Sequence, residues 1–200
     1  MNTDLDDVSR ETIERLRVFE EIAKKWTAKI NLVSKESAQD IWGRHIVDSV
    51  QFLRAAPTDV RTWLDLGSGG GFPGVVVAIL TRDTQTDVTM IESDGRKCAF
   101  LRAALREVGV RATVVNKRID AVEPSEFDVV SARALADLTT LIGYAKPHLG
   151  PSSVAIFAKG ATWQQEVDAA RSQCNFDLEP STSALVREAA ILKISGVSRV

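Results

Sequence analysis

An α/β fold, with a parallel sheet covered by helices on both faces, is what this chain of 200 residues predicts. From Thr62 onward, short β-rich runs alternate with helical stretches, the pattern of consecutive βα units. The first of those strands runs straight into a glycine cluster, Gly67-Ser68-Gly69-Gly70-Gly71, and then into an apolar helix. At 44% hydrophobic and 26% charged, the chain can bury one substantial core and has no room for a second full-sized domain.

Two helices are expected ahead of the alternating part. Ile13, Leu16, Phe19, Ala23, Trp26 and Ile30 recur at spacings of three and four and line one helix face. Ser9 is placed to cap that helix, and Glu11 lies near its positive end. Asn31 to Lys35 reads as a turn. Trp42, Ile46, Val50 and Leu53 mark the second helix, with Arg44, His45 and Asp48 crowded on a neighbouring face. The pattern changes at Pro57-Thr58-Asp59, so residues 1–58 read as a helical extension packed on a core formed by 59–200. Strands are expected at Thr62–Leu66, Val88–Glu92, Ala112–Val115, Phe127–Ser131 and Ser153–Ala158, with helices at Pro73–Thr81, Gly95–Val108, Ala136–His148 and Thr162–Gln173. Pro73 suits a first helical turn, where its missing N–H has no intrahelical partner, and Gly109 suits a helix exit. The tail from Phe176 to Val200 reads as two further strands, Ala189–Ile194 the clearer, with their pairing direction open.

Composition narrows the chemistry. A formal net charge of -2 gives no whole-molecule field to draw the chain onto a polyanion. One stretch is locally basic: Arg96, Lys97, Arg102, Arg106, Arg111, Lys117 and Arg118. The longest purely apolar run, Val75 to Leu80, is far short of the roughly 20 residues a membrane helix requires, and Met1 to Asp7 is acidic where a secretory signal is basic. A cytoplasmic location away from membranes is expected. Cys98 and Cys174 stand in no metal-ligand pattern and are too few for a disulfide framework, so two reduced, packed thiols and no bound metal are expected. With only His45 and His148 available, a mechanism must be sparing with proton transfer. Trp26, Trp42 and Trp63 fall on apolar stripes and read as core.

The glycine loop admits few ligand chemistries. A phosphate-binding P-loop would place Lys and Ser/Thr where Val75 and Val76 stand, and a nucleophile elbow would place Gly where Leu66 stands. Gly69-Gly70-Gly71-Phe72-Pro73-Gly74 does satisfy the dinucleotide pattern, so a nicotinamide-dependent oxidoreductase stays open. Against it, Gly69 comes three residues after the strand's last apolar residue and Asp65 occupies the strand end. Asp65-x-Gly67-x-Gly69-x-Gly71 fits S-adenosylmethionine better, with backbone opened around the amino-acid end of the ligand and no pyrophosphate to neutralise. Glu92, closing its strand, is placed to accept both ribose hydroxyls.

Beyond the loop, the chain resembles a known family along nearly its whole length. The residues that carry the resemblance are Asn31-Leu32-Val33-Ser34, Arg44-His45-Ile46-Val47-Asp48-Ser49, Gly71-Phe72-Pro73-Gly74, Glu92-Ser93, Lys97 with Phe100-Leu101, Ser131-Ala132-Arg133-Ala134 and Ala158-Lys159-Gly160. In these it is similar to the bacterial small-subunit rRNA guanine-N7 methyltransferases, also called the glucose-inhibited division protein B family. The resemblance implies a class I S-adenosylmethionine-dependent methyltransferase fold, Rossmann-like with a seven-stranded mixed sheet, that methylates N7 of a guanine in 16S rRNA. The rRNA or the small subunit would be the partner, and the chain would act as a monomer. By position, Asp65, Gly67, Ser68, Gly69, Gly71, Phe72 and Glu92 would surround the cofactor. Ile119 and Asp120 would flank its adenine, and Arg133 would enter the pocket as a positioning group. Arg44, His45, Asp48 and Lys159 would lie on the substrate side, Lys159 within reach of RNA phosphate. A non-catalytic RNA-binding or ribosome-assembly protein with the same fold is the further alternative.

Overall fold

The computed structural model describes residues 5, 7–182 and 188–199. Most of the acidic stretch Met1 to Asp7, residues 183–187 of the tail and Val200 lie outside the described residues.

Helix α1 (Arg10–Thr27) begins where expected, Ser9 Oγ accepting the Thr12 N–H at 3.2 Å. Leu16, Phe19 and Ala23 form its buried stripe. The expected second helix is broken in two: a π-helical turn, Trp42–Val47, runs into α2 (Asp48–Ala55). The alternating part then follows as β1 (Thr62–Leu66), α3 (Gly74–Leu80), β2 (Asp87–Glu92), α4 (Gly95–Glu107), β3 (Thr113–Asn116), β4 (Phe127–Arg133), α5 (Leu138–Ala145), β5 (Leu149–Lys159), α6 (Trp163–Arg171), β6 (Cys174–Thr182) and β7 (Ala190–Arg199). Gly109, at φ +65°, takes the chain out of α4 as expected.

The seven strands form one sheet in the order β3-β2-β1-β4-β5-β7-β6. β1 to β5 run parallel, and β7 inserts antiparallel between β5 and β6, which settles the pairing direction of the tail and makes the sheet mixed. Strand alternation sends Trp63 and Asp65 to one face and Leu64 and Leu66 to the other. One core packs the first face against α1 to α4, and a second packs the other face against α5 and α6. Helix α3 lies deep in the first core: Val75, Val76, Val77, Ala78 and Ile79 are all buried. Its β-branched run is poor helix material by propensity, and burial on all sides holds it helical. Trp63 is fully buried, and the half-buried Trp42 carries the Arg17 guanidinium 3.4 Å from its ring centroid. Cys98 and Cys174 are buried free thiols.

Candidate functional site

Strand order reverses between β1 and β4, and the crevice beyond the carboxyl ends of such strands is where open α/β sheets hold ligands. The glycine loop leaves β1 there. Gly67, Gly69 and Gly71 have φ of +65°, +51° and +79°, a region that side-chain-bearing residues rarely enter. Two bonds close the turn: Ser68 N–H donates to the Ile91 carbonyl at 3.0 Å, and Gly71 N–H to the Ser68 carbonyl at 2.7 Å.

Asp65 holds this loop from beneath. Register places it beside Ser131 on β4, whose hydroxyl donates to Asp65 Oδ1 at 2.8 Å while accepting the Trp63 indole N–H at 2.8 Å. Asp65 Oδ2 accepts the Gly74 N–H at the start of α3, at 3.2 Å. Position 74 favours glycine, because a Cβ there would lie 2.7 Å from Asp65 Oδ2 and 2.8 Å from Met90 and would force both to shift. The Asp65 carboxylate is thus spent inside the protein, and burial raises its pKa to about 6 against the pull of its hydrogen bonds. The structure places Asp65 beneath the loop, bonded to Ser131 and Gly74. At Gly71 a Cβ would meet Val75 of α3 at 2.6 Å and Phe19 of α1 at 3.1 Å, so its bareness serves packing against both helices.

Glu92 ends β2 beside the loop, its Oε2 accepting the Gly69 N–H at 2.9 Å and its Oε1 the Asp94 N–H at 2.8 Å. Each carboxylate oxygen keeps lone-pair capacity for a further donor. Glu92→Gln, which sets an amide NH2 against one of those N–H groups, is expected to weaken S-adenosylmethionine binding by about 1–3 kcal/mol and to lower the melting temperature of the free protein as well. Calorimetry beside a thermal melt checks both.

Arg133 ends β4 and reaches back to the π-helical turn. Its guanidinium donates to the Arg44 carbonyl at 2.6 Å, lies 3.5 Å from the His45 carbonyl, and pairs with Asp48 at 3.0 Å. Burial pulls its pKa below the usual value, with Asp48 opposing. Arg44 turns outward to Glu36 at 3.0 Å. The His45 ring stacks on Phe72, centroids 4.8 Å apart, and Phe72 in turn packs on Phe19. Burial first, then the charges of Arg133 and Arg44, bring the His45 pKa down to about 4.

Three adjoining cavities open on this edge. The first, about 690 Å³, lies between Asn31–Lys35 and the glycines, with Gly67, Ser68, Gly69, Gly70, Phe72 and His45 in its wall. The second, about 330 Å³, is bounded by Glu92, Ile119, Asp120, Leu135 and Tyr144, and shares Gly67, Lys97 and Ala134 with the first. The third, about 600 Å³, is lined by Arg44, His45, Asp48, Arg133, Lys159 and Glu166 among others. Ala134 borders all three, in the left-handed conformation at φ 50°. Within the second, the Asp120 carboxylate is exposed and chelated by Arg118 at 3.1 and 3.0 Å.

Lys159 lines the third cavity and is held there by two partners. Its ammonium donates to the Ala136 carbonyl at 2.7 Å and pairs with Glu166 at 2.6 Å, leaving the side chain 10% exposed. Glu166 also accepts the Leu138 N–H at the head of α5, so Lys159 ties α5 to α6. Much of the basic stretch is also engaged: Arg96 with Asp94, Arg102 with the Val114 carbonyl and Arg118 with Asp120. Lys97 remains at the shared wall of the first two cavities. Gly70, Lys97, Ala134, Leu135 and Tyr144 join the site without having been singled out for it. Gly70 and Ala134 were signalled by the motifs that contain them; Leu135 and Tyr144 had no sequence signal.

At Gly67 a Cβ would lie 2.7 Å from Leu135 Cδ1. Gly67→Ala is therefore expected to push Leu135 into the second cavity, besides costing about 1–2 kcal/mol for the left-handed backbone. A loss of ligand affinity of tenfold or more in calorimetry, about 1.4 kcal/mol, is the expected result.

The described residues include no cluster of His, Cys, Asp and Glu suited to a metal ion and no helix long and apolar enough to cross a membrane. Residues 12–191 match the family model described as rRNA small subunit methyltransferase G, GidB. The chain is 55% identical over 196 residues to the ribosomal RNA small subunit methyltransferase G of Ruegeria sp. strain TM1040, covering 97% of this chain and 95% of that protein. It is 49% identical to the protein of the same name from Ruegeria pomeroyi, over 97% of this chain and 96% of that one. Solved structures of similar fold include the ribosomal protein L11 methylase of Lactobacillus delbrueckii subsp. bulgaricus, with TM-score 0.61 and 17% identity over 74% of this chain and 76% of that one. The SAH-bound methyltransferase PaMTH1 of Podospora anserina aligns with TM-score 0.60 and 14% identity over 94% of this chain and 88% of that one.

Proposed function

Because this chain belongs to the rRNA small subunit methyltransferase G family, we propose that it transfers the methyl group of S-adenosylmethionine to N7 of a guanine in the 16S rRNA of the small ribosomal subunit. The observation that carries this reading is the run of three cavities joined at Ala134. The first two fit an extended cofactor: bare backbone at Gly67, Gly69 and Gly70 would receive its amino-acid end, Lys97 would pair with its carboxylate, and Glu92 would accept from its ribose. Ile119, Leu135 and Tyr144 give the second cavity apolar surface for adenine, with Asp120 at its rim. The third cavity, walled by Arg44, His45, Asp48 and Arg133, takes the guanosine. The nicotinamide alternative is disfavoured by the match to the methyltransferase family over residues 12–191.

When bound, S-adenosylmethionine supplies a methyl group on a sulfonium centre. Guanine N7 offers an in-plane lone pair and carries no proton, so the protein needs no general base. A neutral His45 and an engaged Arg133 are compatible with that chemistry. The work of the chain is orientation, which contributes on the order of 7–11 kcal/mol when reacting atoms are held in line. Arg133 fixes the wall between the first and third cavities by tying β4 to the π-helical turn. Asp48 and Glu166 line the third cavity together with the cations they pair with, Arg133 and Lys159, so its wall carries compensated rather than single-sign charge. The protein acts as a monomer in the cytoplasm. Small-subunit particles from cells lacking the modification, incubated with the purified protein and S-adenosylmethionine, are expected to gain N7-methylguanosine at one position of 16S rRNA, detected by chemical cleavage and mass spectrometry. Binding of rRNA without methyl transfer would favour the assembly-protein alternative.

A further inference from the structure

We propose that His45 recognises the target guanine beside its reacting edge, the Nε2 hydrogen of its imidazole donating to guanine O6; the proposal rests on the function given above. His45 Nε2 is buried and has no hydrogen-bond partner. Buried polar atoms are almost always paired, so an orphan at a cavity wall points to a partner that arrives with a ligand. Its ring is held in place: it stacks on Phe72 at an interplanar angle of 30°, and the backbone that carries it is pinned by the Ser49 hydroxyl on the His45 carbonyl and by Arg133.

Position decides which ligand. Ser37, His45, Arg133 and Ala134 are the residues shared by the first and third cavities, the place where methyl donor and base must meet. Of these, Arg133 is committed to Asp48 and to backbone carbonyls, Ser37 is bonded to Ser34, and Ala134 has no polar side chain. Of these four side chains, His45 is the one with a polar atom, Nε2, that lacks a partner. On guanine, N7 and O6 lie side by side on one edge. A base presenting N7 to the methyl donor therefore presents O6 to the residue at the junction, and O6 is an acceptor. Burial first, then the charges of Arg133 and Arg44, keep the ring neutral at pH 7, against a smaller opposing pull from Asp40. A neutral donor suits this place, because methylation leaves the purine cationic and an imidazolium would repel it.

The test compares wild type, His45→Phe and His45→Gln in three measurements: thermal melting without ligand, S-adenosylhomocysteine binding by calorimetry, and single-turnover methyl transfer to unmodified small-subunit particles. Phenylalanine keeps the stack on Phe72 and removes the orphan nitrogen. His45→Phe is expected to melt no lower than wild type and to bind S-adenosylhomocysteine within about twofold, yet to transfer methyl roughly 10- to 100-fold more slowly. His45→Gln, whose amide donates, is expected to recover part of that rate. An undiminished rate in His45→Phe beside active wild type overturns the proposal alone. A fall in cofactor affinity that matches the fall in rate overturns it too, placing His45 on the cofactor's side. Wild-type protein that leaves guanine N7 unmethylated overturns both the proposal and the function beneath it.

Discussion

Arg133→Ala is expected to slow single-turnover methyl transfer by two orders of magnitude or more, on the order of 3 kcal/mol in the barrier, and to destabilise the protein at the same time. The pair it forms with Asp48 is largely out of solvent, with side chains 17% and 13% exposed. Truncation leaves the Asp48 carboxylate without that counter-charge and removes the donor to the Arg44 carbonyl, so a stability loss of about 2–4 kcal/mol follows, just under the range for fully buried pairs. The family resemblance implies a positioning group in the pocket; the bonds to the π-helical turn add a role in folding. Arg133→Lys keeps the charge and loses the planar fork, and it is expected to restore stability in part and rate much less. Measuring S-adenosylhomocysteine affinity beside the rate divides the possibilities. Rate loss at intact affinity places Arg133 at the guanosine, parallel losses place it at the cofactor, and wild-type values in both remove it from the site. A double-mutant cycle with Asp48→Asn isolates the coupling of the pair, expected at about 0.5–3 kcal/mol.

Local chemistry in the sequence foretold a good part of this site. The Ser9 cap, the turn glycines after β1 and the acidic end of β2 are each specified within a few residues, and each lies where its residue type predicts. The parts that were not legible depend on contacts between distant segments. Asp65 reads as a ligand because it precedes the glycines; that its two oxygens are spent on Ser131 and Gly74 follows only from the β1–β4 register and the seating of α3. Lys159 reads as a phosphate contact because it ends a strand at the ligand edge, and its partner Glu166 comes from the next helix. The π-helical turn leaves no mark in the periodicity of Trp42, Ile46 and Val50, yet it is this turn that presents the Arg44 and His45 carbonyls to Arg133. The left-handed Ala134 is hidden for a similar reason, since nothing about alanine advertises a positive φ.

Asp65→Ala is expected to cost about 2–4 kcal/mol in stability and to weaken S-adenosylmethionine binding, although Asp65 is not among the residues lining the three cavities of the site. The variant strands the Gly74 N–H and leaves the Ser131 hydroxyl only the longer bond to the Leu64 carbonyl, at 3.4 Å, so the head of α3 and the loop before it lose their tie to β4. Asp65→Asn is expected to be much milder. Its oxygen can accept from Gly74 while its amide donates to Ser131 Oγ, whose own hydrogen turns to Leu64. The two variants also separate by pH. The Asp65 carboxyl moves from an ordinary value of 3.8 to about 6 in the folded protein, chiefly through burial. Between those values the folded state holds a proton that the unfolded state has released, so this group favours folding below about pH 4 and that advantage is lost as pH rises through 6. The shift of roughly two pH units corresponds to about 3 kcal/mol. Denaturant melts of wild type and Asp65→Asn from pH 4 to pH 7.5 give the contribution as a difference, because other titrating groups cancel. Wild type is expected to lose stability relative to Asp65→Asn across that window; parallel curves would show that the buried carboxyl ionises as it does in water. A carboxylate kept ionised at that cost has a structural return: at neutral pH both its oxygens are acceptors, and two donors from different segments, Gly74 N–H and Ser131 O–H, converge on it to seat the loop that receives the methyl donor.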